Sequence, residues 1–264
     1  MKTTIRHTLC IALGALLLQA LPVRAQDYTD IWWRAGGLED GWGVTFTQNG
    51  TVIFATLFVH GPAPSTTEFW YVATIYQGAG GAFTGDLYQT TGTGIGAPWN
   101  PAQKSATKVG ALTFTPTSST TGTLVYNVGG IVVTKDIARQ SLTAIALGGS
   151  YVGSAVVVSS GCTAAGSQIF DVDPVVTQST GGQMSIALTF GAESCTMQGT
   201  YVQEGTLFRI PVATYACTQS GTTTVNTTAT VYELKATNIG LEGRWSAPNV
   251  NGCTESASFA AVFP

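Results

Sequence analysis

The chain has 264 residues, of which 11 are basic and 14 are acidic, and its formal net charge is −3. Only 9% of the residues are charged, and no basic stripe is present, which excludes nucleic acid as a partner. Glycine is abundant, and the Glu-, Lys- and Arg-rich stretches typical of helix surfaces are missing. The composition therefore predicts an all-β protein.

Residues 1–25 have the features of an export signal. The segment begins with basic residues such as Lys2, continues with an apolar run over 9–21, and ends at Ala25 in a small-residue cleavage site. An apolar run of about a dozen residues is too short to span a bilayer of roughly 30 Å as a helix, so we expect no transmembrane helix. We expect the mature chain to begin near Gln26 and to be exported to the periplasm or secreted.

The dipeptide Asn49-Gly50 predicts a two-residue hairpin turn between strands at 41–48 and 51–60. The predicted turn would place Phe46 opposite Ile53. One face of this hairpin is then wholly apolar and should be core. That face consists of Trp42, Val44, Phe46, Ile53, Ala55 and Leu57. The other face is mixed, and it would form either a partly covered exterior or the wall of a cavity.

Short strands separated by turn residues are predicted along the rest of the chain. In a first module they fall at 28–33, 68–77, 82–89, 108–115, 122–128 and 131–138, with a second tight hairpin at Gly129-Gly130. In a second module they fall at 150–158, 167–172, 183–190, 195–202, 206–212, 227–236, 241–245 and 255–263. About eight antiparallel strands per module predict an up-and-down barrel or a sandwich for each. The first module would cover residues 26–147 and the second 148–264.

Four cysteines follow the export signal, all in the second module: Cys162, Cys195, Cys217 and Cys253. An even number of cysteines in an exported chain predicts disulfide bonds, and four cysteines allow three connectivities. Sequential pairing, Cys162–Cys195 and Cys217–Cys253, suits a meander of neighbouring strands and is the preferred prediction.

Four segments of the first module resemble a module found in exported proteobacterial proteins. They are Tyr-Thr-Asp-Ile-Trp-Trp at 28–33, Glu-Asp-Gly-Trp-Gly-Val at 39–44, Phe-Thr-Gly-Asp-Leu-Tyr at 83–88 and Thr-Lys-Asp-Ile-Ala-Arg-Gln at 134–140. Members of that uncharacterised family open with a double Trp, usually followed by Asn-Pro, and then carry a Glu-x-Gly-Trp-Gly segment. This chain has Arg34-Ala35 in place of Asn-Pro. The resemblance covers residues 28–140 and implies export and a module boundary, but no activity.

Few residues could support acid–base or nucleophilic catalysis. His60 is the only histidine after residue 25, and its place at a strand end is typical of a rim residue. Glu39 and Asp40, beside Trp33 and Trp42, would suit a sugar-cleaving pair of carboxylates if a turn brought them to one side. Adjacent strand residues point to opposite faces, so a solvated turn is the preferred interpretation.

The sequence predicts no metal site and no cofactor. Asp171 and Asp173 share one side of a predicted strand, but a hard cation takes more than two oxygen ligands, so an exposed strand end is preferred over calcium binding. No cysteine spacing is Cys-x-x-Cys, and a single histidine excludes sites that need two.

Aromatic side chains are dense between residues 32 and 71. Barrel cores are filled by such side chains, which is the plain structural interpretation. Alternation along a strand nevertheless places Trp70 on the side opposite Phe69 and Tyr71, so one large ring leaves the core. The functional interpretation is a binding site for a glycan or a small apolar ligand at a barrel mouth. Its contact residues would be Trp32, Trp33, Trp42 and Trp70.

The sequence therefore predicts an exported, non-enzymatic binding or adhesion protein. Two alternatives stay open. One is a carboxylate-dependent hydrolase that acts on an extracellular substrate through Glu39 or Asp40. The other is a purely structural protein of the cell surface or the outer membrane.

Overall fold

A computed structural model describes residues 26–37 and 39–264, so the predicted export signal lies outside the described residues. The described chain forms two closed antiparallel barrels, which confirms the all-β prediction and selects the barrel over the sandwich. Within these ranges, no helix is long and apolar enough to cross a membrane.

The first barrel contains eight strands, each paired with the next, and it closes where β8 pairs with β1. They are β1 (Asp30–Arg34), β2 (Gly43–Asn49), β3 (Val52–His60), β4 (Glu68–Gln77), β5 (Phe83–Thr91), β6 (Ser105–Pro116), β7 (Thr121–Val128) and β8 (Ile131–Arg139). A short 3-10 turn, Pro101–Gln103, interrupts the connection between β5 and β6. Closure leaves this sheet without a free edge.

The second barrel closes where β10 pairs with β11 as well as with β18. Its ring consists of β10 (Val152–Ser160), β11 (Gly166–Gln178), β12 (Gln183–Phe190), β13 (Glu193–Thr200), β15 (Leu207–Gln219), β16 (Thr222–Thr237), β17 (Gly240–Val250) and β18 (Cys253–Val262). Two short strands, β9 (Gly149–Ser150) and β14 (Val202–Glu204), pair with β11 and β15 respectively. The ring therefore also has eight strands.

The predicted turn of the first hairpin is wrong by one residue. Asn49 pairs with Val52, so Gly50 and Thr51 form the turn, and the register is shifted by two from the prediction. Gly50 has φ +59 whereas Thr51 is not among the residues with positive φ, as in a type II′ turn, which needs glycine only at its first position. A shift of two keeps every side chain on its predicted face. The fully buried members of that face are Val44, Phe46, Ile53, Ala55 and Leu57.

The predicted hairpin at Gly129-Gly130 is confirmed. Val128 pairs with Ile131, and both glycines have positive φ.

Strands of the second barrel are longer than predicted. The strand predicted to end at residue 172 continues through Pro174 to Gln178. Its partner changes from β10 to β9 at this point, and the Pro174 carbonyl accepts a hydrogen bond of 2.8 Å from the Tyr151 amide. The interrupted partner strand explains why a residue without an N–H is tolerated there.

All four cysteines form disulfides, but the preferred pairing is wrong. The bonds are Cys162–Cys253 and Cys195–Cys217. Barrel closure makes β10 a neighbour of β18, which brings the segment after β10 to the first residue of β18. Cys195 and Cys217 lie directly opposite each other on the neighbouring strands β13 and β15. Two disulfides are typical of proteins in a non-reducing, exported environment.

Aromatic rings fill one end of the first barrel. Phe114 has its ring centroid 4.8 Å from that of Phe46 and 5.3 Å from those of Trp32 and Tyr28. Tyr28 precedes β1, and its carbonyl accepts a 3.0 Å hydrogen bond from Trp32 Nε1. These four side chains are all buried. The rings therefore form a packed core at this end of the barrel.

The two barrels touch through a small set of polar contacts. Ser141, which follows β8, accepts a hydrogen bond of 2.9 Å from the Gly205 amide and donates one of 3.2 Å to the Gln203 carbonyl. Thr206 donates two hydrogen bonds of 2.9 Å to Asp30 Oδ2 on β1. The turn between β14 and β15 is thereby attached to the seam of the first barrel.

Candidate functional site

The four tryptophans predicted as contact residues do not gather at a barrel mouth. Trp32 is fully buried in the core, which removes it from any contact surface. Trp33 is half-buried on the outside of β1, and Trp42 is half-buried just before β2. Trp70 is 63% exposed on the outside of β4. Of the four, only Trp70 presents most of its ring to solvent.

Trp70 belongs to a larger aromatic surface on the outside of β3, β4 and β5. Its ring centroid lies 5.9 Å from that of Phe58, its direct partner in the ladder. Val72 pairs with Tyr88 on β5 in the next outward row. Tyr76 is 60% exposed farther along β4. We call this surface the outer aromatic face; it comprises Phe54, Phe58, Trp70, Val72, Tyr76 and Tyr88.

Strict alternation along β4 produces this surface. Tyr71, Ala73 and Ile75 are buried inside the barrel, so the residues between them point outward. Tyr76 has the same outward parity as Trp70. The alternation that exposes Trp70 would therefore also have identified Tyr76 from the sequence.

A hollow of about 490 Å³ lies within the outer aromatic face. Its lining includes Phe54, Tyr76, Asp86 and Tyr88. Gly85 also contributes, because a Cβ at this position would collide with the Thr74 carbonyl oxygen; the two strands approach closely here. The hollow is thus bounded by three aromatic rings and one carboxylate.

An ion pair between Asp86 and Lys108 supplies charge beside this hollow. Asp86 Oδ1 lies 2.8 Å from Lys108 Nζ, and both side chains are about half exposed. The hydrogen bond to Asp86 raises the pKa of Lys108, so the lysine stays charged. The outer aromatic face therefore offers rings for stacking, together with a carboxylate and an ammonium group for hydrogen bonds.

Glu39, predicted as a weak catalytic candidate, is held in a network of cations. It pairs with Lys135, and Arg34 Nε lies 3.7 Å from Glu39 Oε1. Trp42 Nε1 donates a 3.1 Å hydrogen bond to Glu39 Oε2, and Lys135 Nζ lies 5.5 Å from the Trp42 ring centroid. The hydrogen bond from Lys135 lowers the pKa of Glu39, which keeps it ionised. Asp40 is exposed in the turn that follows Glu39.

The remaining sequence candidates lie apart from one another. His60 is exposed at the end of β3, where it pairs with Glu68 in the ladder. Asp171 and Asp173 are both exposed on one side of β11, in the middle of a long strand. None of these residues joins the outer aromatic face.

A buried carboxylate inside the second barrel was not predicted. Glu255 Oε1 accepts hydrogen bonds of 2.7 Å from Trp245 Nε1 and 3.1 Å from the Tyr215 hydroxyl. Burial, with the nearby charge of Glu255, raises the pKa of Tyr215. The sequence could have indicated the inward position of Glu255, because β18 alternates and Ala257 and Phe259 also point inward. Because Glu255 is almost inaccessible, we interpret this trio as a structural anchor.

One group of possible metal ligands is accounted for by a disulfide. Among the described residues, Glu193, Cys195 and Cys217 lie close enough together to hold an ion. The two sulfurs are bonded to each other, so they provide no thiolate ligands. The Glu193 carboxylate accepts a hydrogen bond from the Thr224 hydroxyl.

Comparisons with known proteins leave the function open. No family model and no curated protein matches the sequence. A solved structure of a DUF3598-family protein of unknown function, from Nostoc punctiforme, is similar over 89% of this chain and 96% of that chain. The identity is 11% and the TM-score is 0.26, and at that level the likeness carries no argument.

Proposed function

We propose that the protein is an exported, non-enzymatic binding protein that holds a glycan chain on the outer aromatic face. The observation that carries the proposal is the exposure of three large rings, Trp70, Tyr76 and Phe54, on neighbouring strands. Contiguous patches of exposed apolar side chains mark interaction sites, whereas single exposed residues need no partner. The predicted export signal and the resemblance of residues 28–140 to exported proteins support a role in the periplasm or outside the cell.

The dimensions of the face favour a chain of sugars over a compact apolar ligand. Trp70 and Tyr76 are six residues apart on one strand, which corresponds to about 20 Å at the rise of a β-strand. That length accommodates several sugar rings in a row. Sugar rings have apolar faces that stack on aromatic side chains, and their hydroxyls can bond to Asp86 and Lys108 at the edge.

A small apolar ligand in the 490 Å³ hollow is the second candidate. It would contact Phe54, Tyr76 and Tyr88 without reaching Trp70. The hydrolase alternative receives no such support, because Glu39 is paired with Lys135 and Arg34 and its lowered pKa does not suit a general acid.

The test is a fluorescence titration with soluble oligosaccharides of increasing length and with small apolar compounds. We expect tryptophan emission to change with an oligosaccharide, and affinity to rise with chain length until the face is covered. Trp70→Ala should weaken binding by about tenfold or more, equivalent to about 1.4 kcal/mol. Trp99→Ala is the matched control, because Trp99 is equally exposed, at 67%, but lies on the connection between β5 and β6.

Two results would contradict the proposal. One is the absence of any response to the whole oligosaccharide series. The other is an equal loss of affinity in both tryptophan variants, which would indicate a contact unrelated to the outer aromatic face. A response restricted to apolar compounds would select the second candidate.

A further inference from the structure

A second hollow, of about 620 Å³, lies on the outside of the second barrel. Its floor is made of outward-pointing side chains of β10 and β18, namely Ser154, Val156, Val158, Ser256, Ser258 and Ala260. Its wall is made of charged side chains of β16 and β17, namely Glu233, Lys235, Glu242 and Arg244. We call it the barrel-2 hollow. It lies on a different barrel from the outer aromatic face.

The strand ladder explains why there is space above this part of the sheet. Arg244 on β17 pairs with Ser258 on β18, and Glu242 pairs with Ala260. Ala260 in turn pairs with Ser154 on β10. Each long charged side chain therefore stands next to a row of short ones, which do not fill the space above the sheet. The result is a concave surface with charge along one side, and with serine hydroxyls and small apolar side chains along the bottom.

Glu233 has a backbone conformation that turns its side chain toward this hollow. Its φ is +53, in the left-handed region that non-glycine residues rarely adopt. β16 carries one extra residue here, because the register with β17 shifts between Tyr232 and Lys235. Leu234, the next residue, is fully buried, so the extra residue does not displace the side chains of β16 that fill the core. Glu233 Oε2 lies 3.4 Å from Arg244 Nε. Bulges and strained residues of this kind concentrate at functional sites.

The charges in the hollow are nearly balanced. Lys235 Nζ lies 3.0 Å from Glu242 Oε1 and 3.5 Å from Asp27 Oδ2, and Arg244 pairs with Glu233. Three carboxylates thus face two cations. A charged ligand would gain little net attraction and would have to compete with an existing ion pair. A hydroxyl group can donate to a paired carboxylate or accept from a paired cation without breaking the pair.

We propose that the barrel-2 hollow binds a neutral, hydroxyl-rich small molecule of the size of a monosaccharide or disaccharide. Its volume lies in the range of small-molecule pockets. Ser154 and Ser258 would bond to hydroxyls from below, and Glu233, Glu242 and Arg244 would bond to them from the side. This site is independent of the glycan surface proposed for the first barrel.

The binding experiment is a titration of the purified protein with glucose, N-acetylglucosamine, maltose and trehalose, followed by NMR of the backbone amides. We expect at least one of these sugars to shift the amides of Ser154, Ser258 and Ala260. Glucuronate and glucosamine, which carry a charge, should bind no more tightly than the neutral sugars. The proposal is overturned if none of the four neutral sugars shifts these amides, or if a charged sugar binds more than about tenfold more tightly.

Two variants test the position of the site. Ser258→Leu places a bulky side chain on the floor at an exposed strand position, and we expect affinity to fall about tenfold or more with an unchanged unfolding temperature. Glu233→Gly removes the carboxylate and the unfavourable φ together, so binding should weaken while the protein becomes at least as stable. Wild-type affinity in both variants would overturn the proposal.

Two control variants complete the design. Glu204→Gln removes a carboxylate that lies 3.0 Å from Arg209 on the same barrel, outside the hollow, and should leave affinity unchanged. Trp70→Ala should also leave sugar binding in the hollow unchanged. The failure of this proposal and the failure of the proposed glycan surface are therefore distinguishable.

Discussion

Arg139 Nη1 donates a hydrogen bond of 2.9 Å to Asp30 Oδ2, which joins the last strand of the first barrel to its first strand. The two side chains are only 1% and 8% exposed. Arg139 also lies 5.0 Å from the Trp32 ring centroid and donates to the carbonyls of Thr29 and Ser119. Asp30 Oδ2 also accepts hydrogen bonds from Thr206, so this buried ion pair links the two strands that close the first barrel and connects them to the second barrel.

Replacing Arg139 should destabilise the protein strongly. Arg139→Met leaves the Asp30 carboxylate buried without its cation, and the loss of one member of a buried pair costs about 3–5 kcal/mol. The free energy of unfolding, measured by chemical denaturation, reports this loss. Arg209→Met is the matched control, because Arg209 pairs with Glu204 at 3.0 Å but is 42% exposed. The control should lose less than about 1 kcal/mol, and equal losses in the two variants would contradict the interpretation.

Gly205 should be intolerant of a side chain, both because of its backbone conformation and because of its neighbours. Its φ is +65, and a Cβ would collide with the Asp30 carboxylate and approach Arg139 Cβ to 2.8 Å. Gly221 has a similar φ of +79, but a Cβ there would meet nothing within 4 Å. Gly221→Ala should lower the unfolding free energy by about 1–2 kcal/mol from the backbone alone. Gly205→Ala should lower the unfolding free energy by clearly more than Gly221→Ala does. In the Gly205→Ala variant, the connection between the two barrels, residues 140–148, should also be cut faster by protease. Identical behaviour of the two variants would contradict a role of Gly205 in the contact between the barrels.

The two disulfides should contribute unequally to stability. Cys162–Cys253 joins residues 91 apart, whereas Cys195–Cys217 joins residues 22 apart. Closure of the longer loop restricts the unfolded chain more, so loss of the bond should cost roughly 4–5 kcal/mol against roughly 3 kcal/mol for the shorter. Paired Cys→Ala variants compared by denaturant unfolding provide the measurement. A larger loss for the shorter loop would show that packing around the buried Cys195–Cys217 bond outweighs chain entropy.

The sequence predicted the architecture well because strand alternation is a local property. It placed Phe46 and Ile53 on one face even though the turn was misplaced, since a register shift of two preserves sidedness. The closure of the second barrel could not be predicted in this way, because it depends on strands that are far apart in the sequence. Nothing local indicates that β10 meets β18, so the pairing of Cys162 with Cys253 was missed.

The candidate site was predictable in part for the same reason. The outward position of Trp70 follows from alternation, whereas the burial of Trp32 depends on Tyr28 and on Phe114, which comes from a distant part of the chain. The barrel-2 hollow was beyond prediction. It depends on a bulge at Glu233, and no turn residue in the sequence marks that bulge.

Alkaline pH should unfold the protein through its buried tyrosines. Burial raises the pKa above the ordinary value of 10.0 for Tyr28, Tyr71, Tyr126, Tyr151 and Tyr215. The unfolded chain therefore loses these protons from about pH 10 upward while the folded chain retains them. The stabilisation is fully present below the unfolded pKa and decreases as the pH rises toward the folded values.

The measurement pairs phenolate absorbance with near-ultraviolet circular dichroism over the same alkaline titration. We expect the buried tyrosines to ionise together with the loss of tertiary structure. Tyr215→Phe removes the phenol beside Glu255, so the fall in unfolding free energy with pH should become shallower, although the 3.1 Å hydrogen bond to Glu255 is lost. Complete ionisation of all tyrosines in a protein that keeps its native dichroism would mean that these rings are far more accessible than their burial in the two barrels indicates.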